Sequence, residues 1–169
     1  MFGRWAVGGK LLYPDGRIQH AGIVVGMVGA AGHPHKFFPD GHIGYHGRLH
    51  MVYNVSALTG AMMMVQKDKF NEVGGLDEKM FAVAYNDVDL CLKLMDHGYD
   101  NLFTPHARAT HAESISRGYE DTDEKMQRLL TEQSNFLGKW SDFLAAGDPY
   151  YNPNLSLKHE NFSLKYKDE

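Results

Sequence analysis

Residues 26–50 interrupt the regular patterns on either side of them. The segment holds five histidines, two prolines and repeated glycines, and its apolar residues follow neither a strand period nor a helix period. A loop of this length inside a compact domain is usually functional or mobile. We therefore predict a long Gly/His-rich loop over 26–50.

A strand pair is predicted before this loop. Residues 5–13 and 17–25 are rich in Val, Ile, Leu and aromatic side chains, and Pro14, Asp15 and Gly16 separate them. Proline presets the turn, aspartate bonds back to the backbone, and glycine takes dihedral angles that other residues avoid. The pattern indicates two strands joined by a tight turn.

Short strands and helices alternate after the loop. The apolar run at 61–65 predicts a buried strand, and a short helix is predicted over 67–73. Two short strands are predicted over 101–104 and 107–111, on either side of Pro105. Residues 86–97 predict a helix that Asn86 or Asp87 caps at its start and Gly98 at its end. Apolar residues at helical spacing predict a C-terminal helix over 121–144, before an extended tail over 148–169. This alternation is typical of an α/β fold.

Composition narrows the class of protein. The chain has 169 residues, 43% hydrophobic and 22% charged, which fits one soluble globular domain. The net charge of −4 comes without a block of like charges, so we expect no nucleic-acid partner. Its single cysteine, Cys91, excludes an internal disulfide. With neither a signal-peptide pattern nor a long apolar stretch, the expected location is cytoplasmic.

Two segments contain side chains suited to chemistry. Asp87 lies in the first turn of a predicted helix, where free backbone N–H groups and the helix dipole stabilise a carboxylate, so it is either a helix cap or a functional group. His111 follows a predicted strand and is a metal ligand or a surface histidine. Ser114, Ser116 and Arg117 can hold phosphate oxygens.

Several motifs occur together and in a fixed order. They are residues 10–16 (KLLYPDG), 19–22 (QHAG), 59–61 (TGA), 73–78 (VGGLDE), 86–92 (NDVDLCL) and 148–154 (DPYYNPN). As a set they resemble the C-terminal, acceptor-side half of bacterial family 2 glycosyltransferases, which are inverting enzymes with the GT-A fold. The resemblance implies a single partial domain over 1–169, a partial GT-A-like mixed sheet with flanking helices. It also implies that the N-terminal, Rossmann-like half, which binds the nucleotide, is missing.

The resemblance assigns roles residue by residue. Asp87 matches the general base, although Asn86 stands where the family often has Glu. The matches to the acceptor side are Thr59, Gly60, Asp77 and Glu78. His111 matches a histidine that completes the metal shell in some members, and Ser114, Ser116 and Arg117 fall in a segment that closes over the diphosphate.

The same resemblance implies cofactors and partners. The full-length enzyme would use a divalent metal, Mg or Mn, a nucleotide-sugar donor and a glycan or lipid-linked acceptor. A lipid-linked acceptor would locate the enzyme at the cytoplasmic surface of a membrane. We expect no tightly bound metal in this chain, no sugar transfer by the chain alone, and self-association through the edge that the missing half leaves exposed. One alternative is a non-catalytic glycan- or partner-binding module derived from such an enzyme. Another, a histidine-rich metallohydrolase, needs a ligand set that the sequence does not display.

Overall fold

The computed structural model describes residues 5–112 and 122–166. In this part of the chain, short helices flank a mixed β-sheet, so the predicted α/β class is confirmed. The strands are β1 (Trp5–Leu12), β2 (Ile18–His20), β3 (Val24–Val25), β4 (Ala31–Gly32), β5 (Tyr53–Asn54), β6 (Met63–Val65) and β7 (Asp100–Thr110). The helices are α1 (Lys67–Glu72), α2 (Asn86–Asp96), α3 (Asp123–Lys139) and α4 (Ser141–Ala146), and 3-10 turns span Met27–Gly29, Tyr45–His50 and Gly60–Met62.

Strand β1 is the centre of the sheet. It runs parallel to β7 along its whole length, and β5 adds an antiparallel strand on the far side of β7. On its other edge, the first half of β1 pairs with β6 and the second half with β2, both antiparallel. The predicted pair of strands around Pro14, Asp15 and Gly16 is confirmed, but β2 ends at His20, and Val24 and Val25 pair with β4 in a separate two-stranded sheet.

The two strands predicted around Pro105 are one strand with a bulge. Gly9 pairs with Thr104, and the next residue of β1, Lys10, pairs with Arg108, so β7 holds three extra residues at this point. Pro105 cannot donate a backbone hydrogen bond, and a bulge accommodates it without ending the strand. A Cβ on Gly9 would lie 2.6 Å from the carbonyl oxygen of Ala107, so only glycine fits opposite the bulge.

The predicted buried strand at 61–65 is wrong in two respects. Residues Gly60–Met62 form a 3-10 turn, and only Met63–Val65 form a strand. The side chain of Met64 is 72% exposed, because β6 covers the edge of β1 and turns this residue outwards. An apolar run of this length does not distinguish an edge strand from a buried one.

The main core lies between the sheet and the helices. Its wholly or almost wholly buried side chains include Ile18, Leu58, Leu90, Leu94, Phe103 and Phe136. Leu90 and Leu94 lie on the same side of α2, as their spacing predicted, and Cys91 is buried beside them. Burying each such leucine contributes about 1.5–3 kcal/mol, so this face fixes α2 against the sheet.

Residues 26–50 contain short 3-10 turns and the two residues of β4, and several of their side chains are buried. Met27, His35 and Leu49 are inaccessible or nearly so. His35 packs against Phe162 with ring centroids 4.3 Å apart, and its Nε2 accepts a hydrogen bond from the backbone of Tyr45 at 2.9 Å. Contacts from the C-terminal segment therefore hold this glycine-rich stretch, which local periodicity could not show.

The helix predicted over 121–144 is two helices. Thr122 caps α3 by accepting a hydrogen bond from Lys125 N, and the break between α3 and α4 comes at Trp140. Trp140 departs from the helical conformation, and its indole N–H donates to the buried carboxylate of Asp89 at 3.0 Å. None of the described helices combines the length and the apolar content that a membrane crossing needs.

The tail after α4 is folded rather than simply extended. The Oδ2 atom of Asp148 accepts a hydrogen bond from Val25 N at 2.8 Å, and Tyr151 and Leu155 are buried. An antiparallel bridge joins Leu155 to Leu164, so the chain doubles back on itself. Apolar residues spaced along the tail thus anchor it to β3 and to residues 26–50.

Candidate active site

The first turn of α2 holds Asp87 in a network of backbone hydrogen bonds. Its Oδ2 atom accepts from Gly60 N at 2.8 Å, and its Oδ1 accepts from Val88 N at 2.8 Å. The expectation that Asn86 or Asp87 caps the helix is wrong. The cap position belongs to Tyr85, which has a φ of 63° and makes no side-chain cap. Asp87 therefore bonds across to the turn after Thr59 rather than only to its own helix.

Thr59, Gly60 and Asp87, three of the residues that the sequence singled out, lie together. Thr59 precedes the 3-10 turn Gly60–Met62, and its Oγ1 accepts from Ala61 N at 3.4 Å. Gly60 also lines an open cleft of about 360 Å³ between β1, β6 and the bulge of β7. Asp87 is not among the residues that line this cleft, but it adjoins the cleft through its hydrogen bond with Gly60.

Burial raises the pKa of Asp87, and the backbone N–H groups of Gly60 and Val88 and the hydroxyl of Thr59 oppose that rise. Removing a carboxylate from water disfavours its charged form, whereas hydrogen bonds from N–H groups favour it. Asp87 is partly exposed, and its raised pKa means that it accepts a proton more readily than an ordinary aspartate. This property suits a general base.

Asp89, two residues further along α2, has a different environment. It is completely buried and contacts Lys139 Nζ at 2.7 Å, Lys93 Nζ at 3.2 Å and the indole of Trp140 at 3.0 Å. Two cations and an indole N–H therefore surround this carboxylate. Asp89 links α2 to α3 and to the start of α4, which is a structural role.

Asp77 and Glu78 lie in the loop between α1 and α2. Asp77 accepts a hydrogen bond from Met80 N at 3.2 Å and lies 3.4 Å from Lys139 Nζ, and the bond from Met80 is the main reason that its pKa is lowered. Glu78 is exposed. The contacts of Asp77 are thus with its own loop and with α3 rather than with Asp87.

His111 follows β7 and is oriented by Gln19. The amide nitrogen of Gln19 donates to the carbonyl of His111 at 3.4 Å, which turns the amide oxygen of Gln19 towards His111 Nδ1 at 2.8 Å. In neutral His111 the proton therefore sits on Nδ1 and the lone pair on Nε2 is available, an arrangement common to histidines that bind metals. Ser114, Ser116 and Arg117 lie outside the described residues.

Residues 5–112 and 122–166 contain no group of three or more His, Cys, Asp or Glu side chains arranged to hold a metal ion. The divalent metal expected in the full-length enzyme would therefore need more ligands than these residues bring together.

Sequence reasoning missed two side chains that organise this region, Glu132 and Lys139 on α3. Glu132 is 3% exposed and its carboxylate accepts hydrogen bonds from the backbone N–H groups of Val83 and Ala84, shortly before Asp87. Lys139 bridges Asp77 and Asp89. Their spacing from buried Phe136 puts them on the same face of α3. Charged residues within an apolar stripe are the signal that could have identified them.

The chain is similar to a short segment of each of two much longer proteins. It is 49% identical over 160 residues to the uncharacterized protein y4gI of Sinorhizobium fredii, a match that covers 94% of this chain and 17% of that protein. It is 38% identical over 166 residues to the O-antigen biosynthesis protein RfbC of Myxococcus xanthus, which covers 97% of this chain and 12% of that protein. No protein-family model matches the chain. The chain therefore spans less than a fifth of the length of either relative.

Proposed function

We propose that this chain is the acceptor-side part of an inverting, GT-A-like glycosyltransferase of polysaccharide biosynthesis. The observation that carries the proposal is the carboxylate of Asp87, whose pKa is raised by burial and which Gly60 N–H holds beside an open cleft. The motif resemblance supports the reaction class. The similarity to an O-antigen biosynthesis protein supports the biosynthetic role.

The proposed reaction is a single displacement at the anomeric carbon of the donor. Asp87 removes the proton from an acceptor hydroxyl while the oxygen of that hydroxyl forms a bond to the anomeric carbon. The bond from that carbon to the diphosphate oxygen breaks at the same time, and its electron pair leaves with the diphosphate. The base must lie on the face opposite the leaving group and within hydrogen-bond reach of the hydroxyl. Thr59 and Gly60 would form the wall against which the acceptor rests.

A divalent metal, when bound in the whole enzyme, would stabilise the negative charge that develops on the diphosphate. His111 is the described residue that would contribute to holding it, through Nε2, while Gln19 fixes the ring. Ser114, Ser116 and Arg117 are the proposed contacts to the diphosphate oxygens. Asp77 and Glu78 remain the proposed residues of the acceptor loop.

We propose that nucleotide binding belongs to another part of a longer protein, as the lengths of the relatives suggest. The isolated chain should then bind nucleotide sugars weakly or not at all in titration calorimetry. A dissociation constant near 1 μM, equivalent to roughly −8 kcal/mol, would contradict this division of labour.

The role is tested with a chimera in which this chain replaces the matching segment of the Myxococcus xanthus RfbC protein, here named the RfbC chimera. It should restore O-antigen formation in cells that lack RfbC, whereas RfbC with the same segment deleted should not. With purified chimera and a panel of nucleotide sugars, the anomeric configuration of the product should be opposite to that of the donor. Restoration by the deleted form, or a product of retained configuration, would refute the proposal.

A further inference from the structure

One face of α3 holds the loop between α1 and α2 at several points. At the start of this loop Lys139 Nζ lies 3.4 Å from the carboxylate of Asp77, and further along Asn135 donates to the carbonyl of Met80 at 3.2 Å. At its end the carboxylate of Glu132 accepts from two consecutive backbone amides. The loop therefore takes its shape from a helix that lies about fifty residues later in the sequence.

Glu132 makes the strongest of these contacts. Its Oε1 lies 3.2 Å from Val83 N and its Oε2 lies 2.5 Å from Ala84 N, and the side chain is almost completely buried. Hydrogen bonds from N–H groups to a carboxylate are shorter and about twice as strong as those between neutral groups. A buried carboxylate that spans two neighbouring amides fixes both the position and the direction of the backbone.

The backbone held by Glu132 leads directly into the first turn of α2. Tyr85 follows Ala84 with a φ of 63°, an uncommon conformation for an aromatic residue, and its ring stacks on Phe136 of α3 with centroids 5.0 Å apart. The carbonyl of Tyr85 accepts the first helical hydrogen bond, from Asp89 N at 2.8 Å. Asp87 lies within this turn, so its place depends on how residues 83–85 are held.

We infer that Glu132 is a positioning residue for Asp87: its bonds to Val83 and Ala84 set the first turn of α2 so that the Asp87 carboxylate meets Gly60 N–H at the cleft. The effect of Glu132 on catalysis rests on the proposed function of Asp87. Its effect on the position of Asp87 does not rest on that function, because it concerns only contacts between described residues.

The test compares Glu132→Gln with Glu124→Gln. Both substitutions remove one negative charge from α3, but Glu124 is exposed in the first turn of that helix. In Glu132→Gln the amide exchange of Val83 and Ala84 should accelerate roughly tenfold, because the amide group of Gln offers only one acceptor oxygen. The carboxyl carbon of Asp87 should also titrate at a different pH by NMR. In Glu124→Gln neither the amide exchange of Val83 and Ala84 nor the titration of Asp87 should change. Slow amide exchange at Leu90 and Leu94 would show that α2 stays folded in both variants.

A second arm measures catalysis in the RfbC chimera. Glu132→Gln should lower kcat roughly 10- to 100-fold with little change in the KM for the nucleotide sugar, since misplacing a reacting group by about 1 Å costs this much. If Glu132→Gln does not fold, Glu132→Asp, which keeps the charge but withdraws both oxygens by one methylene, is measured in its place with the same expected results.

The two arms separate the two ideas. An unchanged Asp87 titration with unchanged exchange at Val83 and Ala84, in a folded variant, would overturn the positioning role whatever the enzyme does. Altered NMR behaviour with a normal kcat would keep the positioning role and refute Asp87 as the base. Equal loss of kcat in Glu124→Gln would show a general effect of charge on α3 and would also overturn the inference.

Discussion

Asp87 and Asp89 are separated by one residue in the first turn of α2, yet their surroundings differ in almost every respect. Asp87 is partly exposed, and backbone N–H groups and a hydroxyl bind it. Asp89 is completely buried, and two lysines and the indole of Trp140 bind it. Side chains two residues apart on a helix point to different sides, so one motif supplies two carboxylates with different roles.

The partners of each carboxylate explain the difference. Lys93 and Lys139 contact Asp89 inside the protein, and the contact with Lys139 joins α2 to α3. The partners of Asp87 are uncharged, so burial raises its pKa and leaves it able to accept a proton. The nature of the partner, cation or neutral donor, therefore separates the structural role of Asp89 from the role that we propose for Asp87.

Replacing Asp89 should produce the largest change in stability. Asp89→Asn keeps the size of the side chain but leaves Lys93 and Lys139 without their shared anion. Breaking a buried ion pair on one side costs about 3–5 kcal/mol, and we expect about 3 kcal/mol because both lysines are partly exposed and Lys139 keeps Asp77. Denaturant unfolding of the 169-residue chain measures this loss. Asp96→Asn, at an exposed position near the end of the same helix, should change the free energy of unfolding by no more than about 0.5 kcal/mol. Equal midpoints for the two variants would contradict a structural role for Asp89.

Two contacting histidines, buried His20 and half-buried His33, extend the comparison to a third environment. His20 Nε2 accepts from Gly22 N, so the proton on Nδ1 of neutral His20 points at His33 Nδ1, 2.9 Å away. Burial lowers the pKa of His20, and burial together with nearby Lys36 lowers that of His33 to about 4. His20 Nε2 and His33 Nδ1 both accept hydrogen bonds in this arrangement, so a proton added to either atom would break one of these bonds.

The pH dependence follows from these lowered values. In the unfolded chain His33 takes up a proton near pH 6.5, the ordinary pKa of histidine, whereas in the folded chain it does so only near pH 4. Stability should therefore be complete above pH 6.5 and should fall as the pH drops towards 4, by on the order of 2–3 kcal/mol for His33 alone. His33→Gln, whose amide oxygen can still accept from His20, should flatten this dependence. An equally steep fall in that variant would exclude the pair as the cause.

The smallest expected effect concerns His111. In the RfbC chimera, His111→Ala should raise the metal concentration needed for half-maximal turnover by roughly tenfold, with partial rescue by excess metal. The KM for the acceptor should change less. Gln19→Ala, which removes only the group that orients the ring, should shift the metal titration in the same direction by a smaller factor. Two metal titrations identical to that of the unmodified chimera would leave His111 with a structural role alone.

Local patterns predicted α1, α2 and the first strand pair, because periodicity, turn residues and a terminal glycine act over a few neighbouring residues. They failed where distant contacts decide. Trp140, at which α3 ends, bonds to Asp89 of α2, and residues 26–50 pack through His35 and Leu49 against segments far away in the sequence. The bulge of β7 depends on the absence of a side chain at Gly9.

The candidate site shows the same division. The sequence singled out Asp87, Thr59 and Gly60, and the structure brings them together. It could not indicate that Asp89 is buried between lysines, or that Glu132 of α3 holds the turn before Asp87. Both depend on how α3 packs across α2, and neither a motif nor a period reports that packing.

The most direct test of the central claim is the turnover of the RfbC chimera carrying Asp87→Asn. Asparagine keeps the shape of the side chain and an oxygen that can accept from Gly60 N–H, but it cannot take a proton from the acceptor hydroxyl. We predict a fall in kcat of roughly 10² or more, with the KM for the donor unchanged. The free energy of unfolding should fall by only about 0.5–1.5 kcal/mol, because Val88 N–H loses its acceptor while the bond from Gly60 is kept. Near-normal turnover in this folded variant would contradict the account, because Asp87 would then hold the turn at Gly60 and do no chemistry.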